Sequence, residues 1–224
     1  MDIKNILNFL SAVEQHNNRP WFAEHKDWYD CCKADFDTFS ENLIEQLALM
    51  DKELQGLRVK DCVYRIYRDI RFSPDKSPYK HHFGVYVAAG GGRRSPRGGY
   101  YFHLQPGNTL VSAGVWCPNS ALLKALRQSI YDNVDELKEI MDNQSFKRYF
   151  SDMDTEDMLK TVPSGFPKDF EHADWLKRKS FTVTHMLTEK KLLQQNLMEQ
   201  ILDICREAKP YNRFLNYTVD ELLL

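Results

Sequence analysis

Arginine, lysine, aspartate and tyrosine crowd one stretch of this chain: Arg65-Ile66-Tyr67-Arg68-Asp69-Ile70-Arg71-Phe72-Ser73-Pro74-Asp75-Lys76-Ser77-Pro78-Tyr79-Lys80. A guanidinium group is a planar fork of hydrogen-bond donors that matches a phosphate or carboxylate. On residue type, Arg65, Arg71, Lys76 and Lys80 are the candidate anion ligands, with Tyr67 and Tyr79 donating hydroxyls. Arg68, Asp69 and Asp75 would orient them. The competing reading is structural: Asp69 pairs Arg65 or Arg71, Asp75 caps the Ser73-Pro74 turn, and Tyr79 packs beneath it. Ion-pair networks cluster in the same way that binding sites do.

Other chemistry-bearing groups are sparser. His82 and His103 fall on neighbouring strands and titrate near neutral pH, which suits a proton carrier. Tyr86 and Tyr101 would complete a pocket wall beside them. No third ligand accompanies the histidines, so no metal and no cofactor are expected. A nuclease-like reading of Pro74-Asp75-Lys76 fails on the next strand, 82–89, which has no carboxylate. The loop Gly90–Gly99 joins two strands, whereas a phosphate cradle joins a strand to a helix N-terminus. Its Arg93, Arg94 and Arg97 are the residues a nucleic-acid-binding finger would use.

Charge is unevenly placed. Residues 58–103 hold ten Lys/Arg against three Asp/Glu, although the whole chain is at -2. A local basic patch favours an anionic ligand. The pI of 6.4 argues against a protein that coats DNA. The five cysteines include no Cys-x-x-Cys pair, which argues against a zinc knuckle or a disulfide framework and fits a reducing cytoplasm. No signal peptide and no membrane partner are expected.

These groups must be positioned by helices, then strands, then helices. Ile3, Ile6, Leu7, Leu10 and Val13 make an amphipathic helix over 3–15. Asn17-Asn18-Arg19-Pro20 breaks it, and a long helix follows to about residue 52, with Trp21 and Trp28 anchoring the core. Strand composition and alternation mark roughly 62–70, 82–89, 99–105 and 109–117, with a fifth strand at 180–186. Helices are expected from Ser120 to Tyr131, over 133–141, over 144–150 and over 189–207, with a further turn or two from Tyr211. The fold class is α+β: an antiparallel meander of four to five strands packed against N- and C-terminal helices. The parts are helical 1–56, sheet 57–117 and mainly helical 118–224, in a single domain.

Alternation divides the side chains between faces. Phe83, Val85, Val87, Tyr100, Phe102, Leu104, Val111, Ala113 and Val115 take the core face. His82, Gly84, Tyr86, Tyr101, His103, Gln105, Ser112, Gly114 and Trp116 take the other. If the first strand persists, Tyr64 and Ile66 are core residues and Arg65, Tyr67, Asp69 and Arg71 join the polar face.

The string Arg65-x-x-Arg68-Asp69-x-Arg71-Phe72-x-x-x-Asp75-Lys76-x-x-Tyr79 resembles the signature of a bacterial family, domain-of-unknown-function family 2461. Asn17-Asn18-x-x-Trp21-Phe22, Gly99–Leu104 and Pro163-x-Gly165-Phe166 through Trp175-Leu176-Lys177 resemble its other blocks. The resemblance implies a coherent domain with the 65–80 segment as its hallmark, and it carries no activity. The functional expectation is therefore an anionic small molecule held on an arginine-rich sheet face. The alternatives are a hydrolase or transferase in the same pocket, with His82 or His103 moving the proton, and a nucleic-acid-binding module.

Overall fold

In the computed structural model, which describes residues 1–223, ten α-helices accompany one four-stranded antiparallel sheet. The strands are β1 (Phe83–Val87), β2 (Gly99–Leu104), β3 (Leu110–Val115) and β4 (Phe181–Met186), in that order across the sheet. The first three form the expected meander, and the fifth predicted strand is β4 beside β3. The chain forms two compact units that interleave in sequence. One comprises residues 1–94, 101–111 and 186–202; the other comprises 95–100, 112–185 and 203–224.

The first unit is built from aromatic packing. Helix α1 (Ile3–Gln15) starts at Asp2, whose side chain accepts the Asn5 amide at 3.0 Å. Its buried stripe, Ile6, Phe9, Leu10 and Val13, includes Phe9 at the centre of a ring cluster. Phe9 meets Trp28 edge-on at 5.4 Å and Phe83 at 6.5 Å. The long predicted helix is two helices, α2 (Arg19–Glu24) and α3 (Lys26–Met50). The break falls at His25, whose Nδ1 bonds the Trp21 carbonyl and whose ring stacks on Trp21 at 4.2 Å. Both tryptophans are half-buried at the margin of the Phe9 cluster. Phe36 and Phe39 of α3 lie on Phe83 and Phe102, at 5.2 and 5.5 Å, which covers the core face of β1 and β2. Each fully buried ring of this kind contributes about 1.5–3 kcal/mol from removal of apolar surface.

The predicted strand over 62–70 is not a strand. The short helix α4 (Val59–Cys62) occupies its start, and Val63 then bridges Val85. The Tyr64 amide donates to the Gly84 carbonyl at 2.9 Å, and there the chain leaves the sheet. Residues 66–68 pair instead with 78–80: Lys80 N–H donates to Ile66 O at 2.7 Å and Arg68 N–H to Pro78 O at 2.9 Å. The buried residues are Cys62, Val63 and Ile66, and period two is lost among them. Tyr64 therefore lies on the outer face, edge-on to Tyr101 at 6.2 Å, and does not join the core. The alternation that would have put Tyr67, Asp69 and Arg71 beside the histidines ends before it reaches them.

What pulls the segment away is Tyr79. Its ring is buried flat against Phe22 at 3.9 Å. The Asn17 side chain bonds both its backbone groups, accepting from N–H at 3.0 Å and donating to O at 2.9 Å. Asn17 thus plays the part of a neighbouring strand. Its replacement by alanine is expected to cost about 1–3 kcal/mol, two backbone partners being lost at once. Hydrogen exchange should show the Arg68 and Lys80 amides losing protection before the amides of β1 do.

In the second unit, α5 (Ser120–Asp132) is capped by Asn119, whose side chain accepts the Leu122 amide, and α6 (Val134–Asp142), α7 (Gln144–Lys147) and α8 (Ala173–Lys177) follow. The predicted helix over 189–207 divides into α9 (Glu189–Leu192) and α10 (Leu197–Leu223). Helix α10 runs straight through Pro210, where the sequence predicts a stop. An interior proline costs about 3 kcal/mol. The buried stripe Ile201, Ile204, Cys205, Ala208, Tyr211, Leu215 and Val219 offsets it. Among the described residues, no helix is long and apolar enough to cross a membrane.

Candidate functional site

The outer face of the first unit's strands carries a continuous polar layer. Gly84 leaves room for Tyr101, whose hydroxyl lies 2.7 Å from where a Cβ on residue 84 would be. That hydroxyl bonds His103 Nδ1 at 2.8 Å, and His103 Nε2 meets Gln105 Oε1 at 2.8 Å. With Gln105 presenting its oxygen, His103 Nε2 carries the proton and Tyr101 donates to Nδ1. His82 stacks on His103 with ring centroids 4.3 Å apart. Burial, then His103, Lys80 and other nearby cations, push the His82 imidazole down to about 3, so it is neutral at pH 7. His103 is lowered as well, chiefly by burial. Tyr86 lies half-buried in β1.

The predicted cations divide into two groups. Arg71 forks onto Asp69, at 3.0 and 2.7 Å, in an exposed loop. That fork, more than any other contact, holds the Asp69 carboxyl down to about 2. Arg68 closes the same loop by bonding Asp75 and Ser77, and Asp75 also accepts the Ser77 amide at 2.9 Å. The Ser77 and Arg68 bonds together keep the Asp75 carboxyl well below the carboxylate range. Lys76 Nζ donates to the Ile70 carbonyl at 3.0 Å. Tyr67 is half-exposed at the loop base, and Tyr79 is buried. Arg71, Lys76, Asp69 and Asp75 therefore belong to a self-contained loop whose tip, Phe72, is 94% exposed.

Arg65 and Lys80 are different. The three carboxylates of residues 58–103 are Asp61, Asp69 and Asp75, and each pairs with another arginine, namely Arg58, Arg71 and Arg68. Arg65 is exposed and has no ion-pair partner among the described residues. Lys80 is partly buried, its ammonium over the Tyr64 ring at 5.2 Å. Burial lowers its pKa, and Arg65, Arg68 and Arg93 lower it further.

Sequence reasoning treated Arg93 as a finger residue and missed Tyr64. Arg93 folds back to donate to the carbonyls of Lys60 and Val63, at 2.6 and 2.9 Å. Neutral acceptors leave its charge in place beside Tyr64 and Lys80. Arg97 pairs with Asp220 at 2.8 Å. The intervening loop is a tight turn, Gly92–Arg94, and not an extended finger. Gly92 sits at φ +59 with the Asp61 carbonyl 2.5 Å from where a Cβ would be, so this close approach requires glycine. Only the glycine run hinted at that turn.

Family membership adds to this picture, because the match spans residues 5–214 and takes in this whole face. The chain belongs to the family described as Conserved hypothetical protein (DUF2461). No curated protein and no solved structure matches the chain. The family carries no assigned activity, so chemistry has to be read from the face itself. Among the described residues, no group of three or more His, Cys, Asp and Glu is arranged to hold a metal ion. An open cavity of about 510 Å³ lies elsewhere in the first unit, lined by Met1–Lys4, Phe39, Asn42 and Leu192, and gathers no cationic cluster.

Proposed function

We propose that this protein binds an anionic small ligand, bearing a phosphate or carboxylate, on the outer face beside β1. Arg65 and Lys80 are the ligating cations, Arg93 adds fixed positive potential, and Tyr64, His82, Tyr101 and His103 form the wall. One observation carries the reading. Every carboxylate of the basic segment is already paired with another arginine, while Arg65 and a partly buried Lys80 repel each other and neither is in an ion pair. Bringing like charges together in a partly buried site costs free energy that a bound anion returns. The Arg71–Asp69 and Arg68–Asp75 pairs shape the neighbouring loop.

The reading fixes a pH dependence. Lys80 and His82 both have folded pKa values below their ordinary ones, so the free site holds fewer protons than its residues would in water. An anion favours their charged forms, so binding takes up protons and weakens as pH rises. Sulfate is the clean probe because its own charge is constant across this range. Without ligand, His82 works the other way. The unfolded imidazole protonates below about 6.5 while the folded one resists, so stability falls with acid from about pH 6.5 down to about 3.

Thermal shift with sulfate tests the proposal. The sulfate-induced stabilisation should grow as pH falls below about 6.5, where a bound anion can draw a proton onto His82. Replacing Arg65 by alanine should weaken binding about 10–100-fold, the loss of one charged hydrogen-bonding partner. Undiminished stabilisation in that variant would remove the site.

A further inference from the structure

We propose that the ligand of this face is a small hydroxylated phosphate or carboxylate, and that His82 is the residue that reads its hydroxyl; this rests on the anion site above. Arg65 and Lys80, both charged, hold the anionic end.

The backbone aims the two ends of the site the same way. His81 faces Glu14 of α1, its Nε2 3.9 Å from the carboxylate. Its neighbours turn to the outer face, Lys80 onto the Tyr64 ring at 5.2 Å and His82 onto the His103 ring at 4.3 Å. An ammonium over a tyrosine ring is held there as a cation. Two residues span at most about 7 Å of backbone, so a short ligand can touch both side chains. Contacts join them across the face: Tyr64 meets Tyr101 edge-on at 6.2 Å, Tyr101 bonds His103, and His103 carries His82.

His82 has hydrogen-bonding capacity to spare. Its ring is partly exposed, and neither of its nitrogens has a hydrogen-bond partner among the described residues. His103 has none left: Nδ1 accepts from Tyr101 and Nε2 donates to Gln105, which fixes its ring as the platform under His82.

A neutral imidazole presents one N–H donor and one bare nitrogen that accepts. Sulfate or a carboxylate can take the donor, but it has no proton to give to the bare nitrogen. The Tyr101 hydroxyl cannot serve, because it donates to His103. A hydroxyl on the ligand supplies the missing donor. A site arranged around a hydroxyl discriminates against the analogue that lacks it, because its own polar group is then left unpaired.

Isothermal titration of the whole chain at pH 8, where an ordinary imidazole is neutral, tests this with two matched pairs. These are glycerol 3-phosphate against n-propyl phosphate, and lactate against propionate; the pairs separate a phosphate-bearing from a carboxylate-bearing ligand. In at least one pair the hydroxylated member should bind about tenfold more tightly, the effect of one hydrogen bond. His82→Phe keeps a ring on His103 and removes both nitrogens. It should lose the preference and keep its stabilisation by sulfate at this pH. NMR of the wild-type imidazole nitrogens needs no variant: the His82 resonances should move with the hydroxylated ligand and not with its partner. Equal affinity within both pairs, His82 nitrogens that ignore the hydroxyl, or a preference that survives in folded His82→Phe overturns the inference. If sulfate stabilises the wild type, and not Arg65→Ala, while neither pair discriminates, the hydroxyl falls and the anion site stands. If sulfate does not bind, both fall.

Discussion

Gly114→Ala is expected to abolish folding. Gly114 lies in β3 at φ +117, a backbone region closed to residues with a side chain. A Cβ there would sit 2.0 Å from the Phe181 carbonyl oxygen and 2.9 Å from the Thr182 Cα. Both are backbone atoms of the neighbouring strand β4, so no rotamer change relieves the overlap. The strands would have to separate, exposing Phe181 and Val183, which are fully buried. Backbone strain alone costs about 1–3 kcal/mol, and opening the β3–β4 ladder adds to it. Against a typical total of about 5–15 kcal/mol, the variant should be recovered unfolded or aggregated. Far-UV circular dichroism of purified protein measures this directly. A cooperative melt close to the wild type would mean that β3 and β4 pair differently from the arrangement described.

Arg178→Met has the next largest effect. Arg178 is 2% exposed, in the second unit, and its guanidinium donates to the Asp154 carbonyl at 2.5 Å and to the Asp152 carboxylate at 3.1 Å. Its own carbonyl accepts from Arg127 at 2.8 Å, and it bridges Met158. Asp154 in turn receives Thr182 and Thr184 of β4, at 2.6 and 2.7 Å. One buried cation thus fastens the 152–158 loop to β4. Methionine keeps much of the volume, so the loss is chiefly of the buried partners. Breaking a buried pair costs about 3–5 kcal/mol, and Asp152, which is half-exposed, can recover water, which places the expected loss near the lower limit. At about 2–4 °C per kcal/mol for a chain of this size, the melting temperature should fall by about 6–12 °C. A drop of less than about 2 °C, within one kcal/mol on that scale, would show that the network is dispensable.

The core was readable because its signals are local and redundant. Helix α1, the strands 83–87, 99–104 and 110–115, and β4 all follow from short-range periodicity. The errors share a cause, which is contact between residues distant in sequence. Asn17 captures Tyr79 across 62 positions and so converts a predicted edge strand into a small hairpin. Burial of Tyr211, Leu215 and Val219 carries α10 past Pro210, where local propensity calls for a stop. The site was legible at the level of the segment and not of the residue. Arg65 and Arg71 have the same side chain six residues apart. Only the structure separates them, because Asp69 forks onto Arg71 and meets Arg65 only at longer range. Nothing in the sequence context of Arg178 marks it as buried.

The most direct test is to locate an anion by its own scattering. Crystals grown in selenate, with the selenium peak found by anomalous diffraction, would report where the charge settles. The account predicts one strong peak within hydrogen-bonding reach, about 3 Å, of both Arg65 and Lys80, on the His82 side of Tyr64. A peak at the Arg71–Phe72 loop or at Arg94, with that face empty, would contradict it.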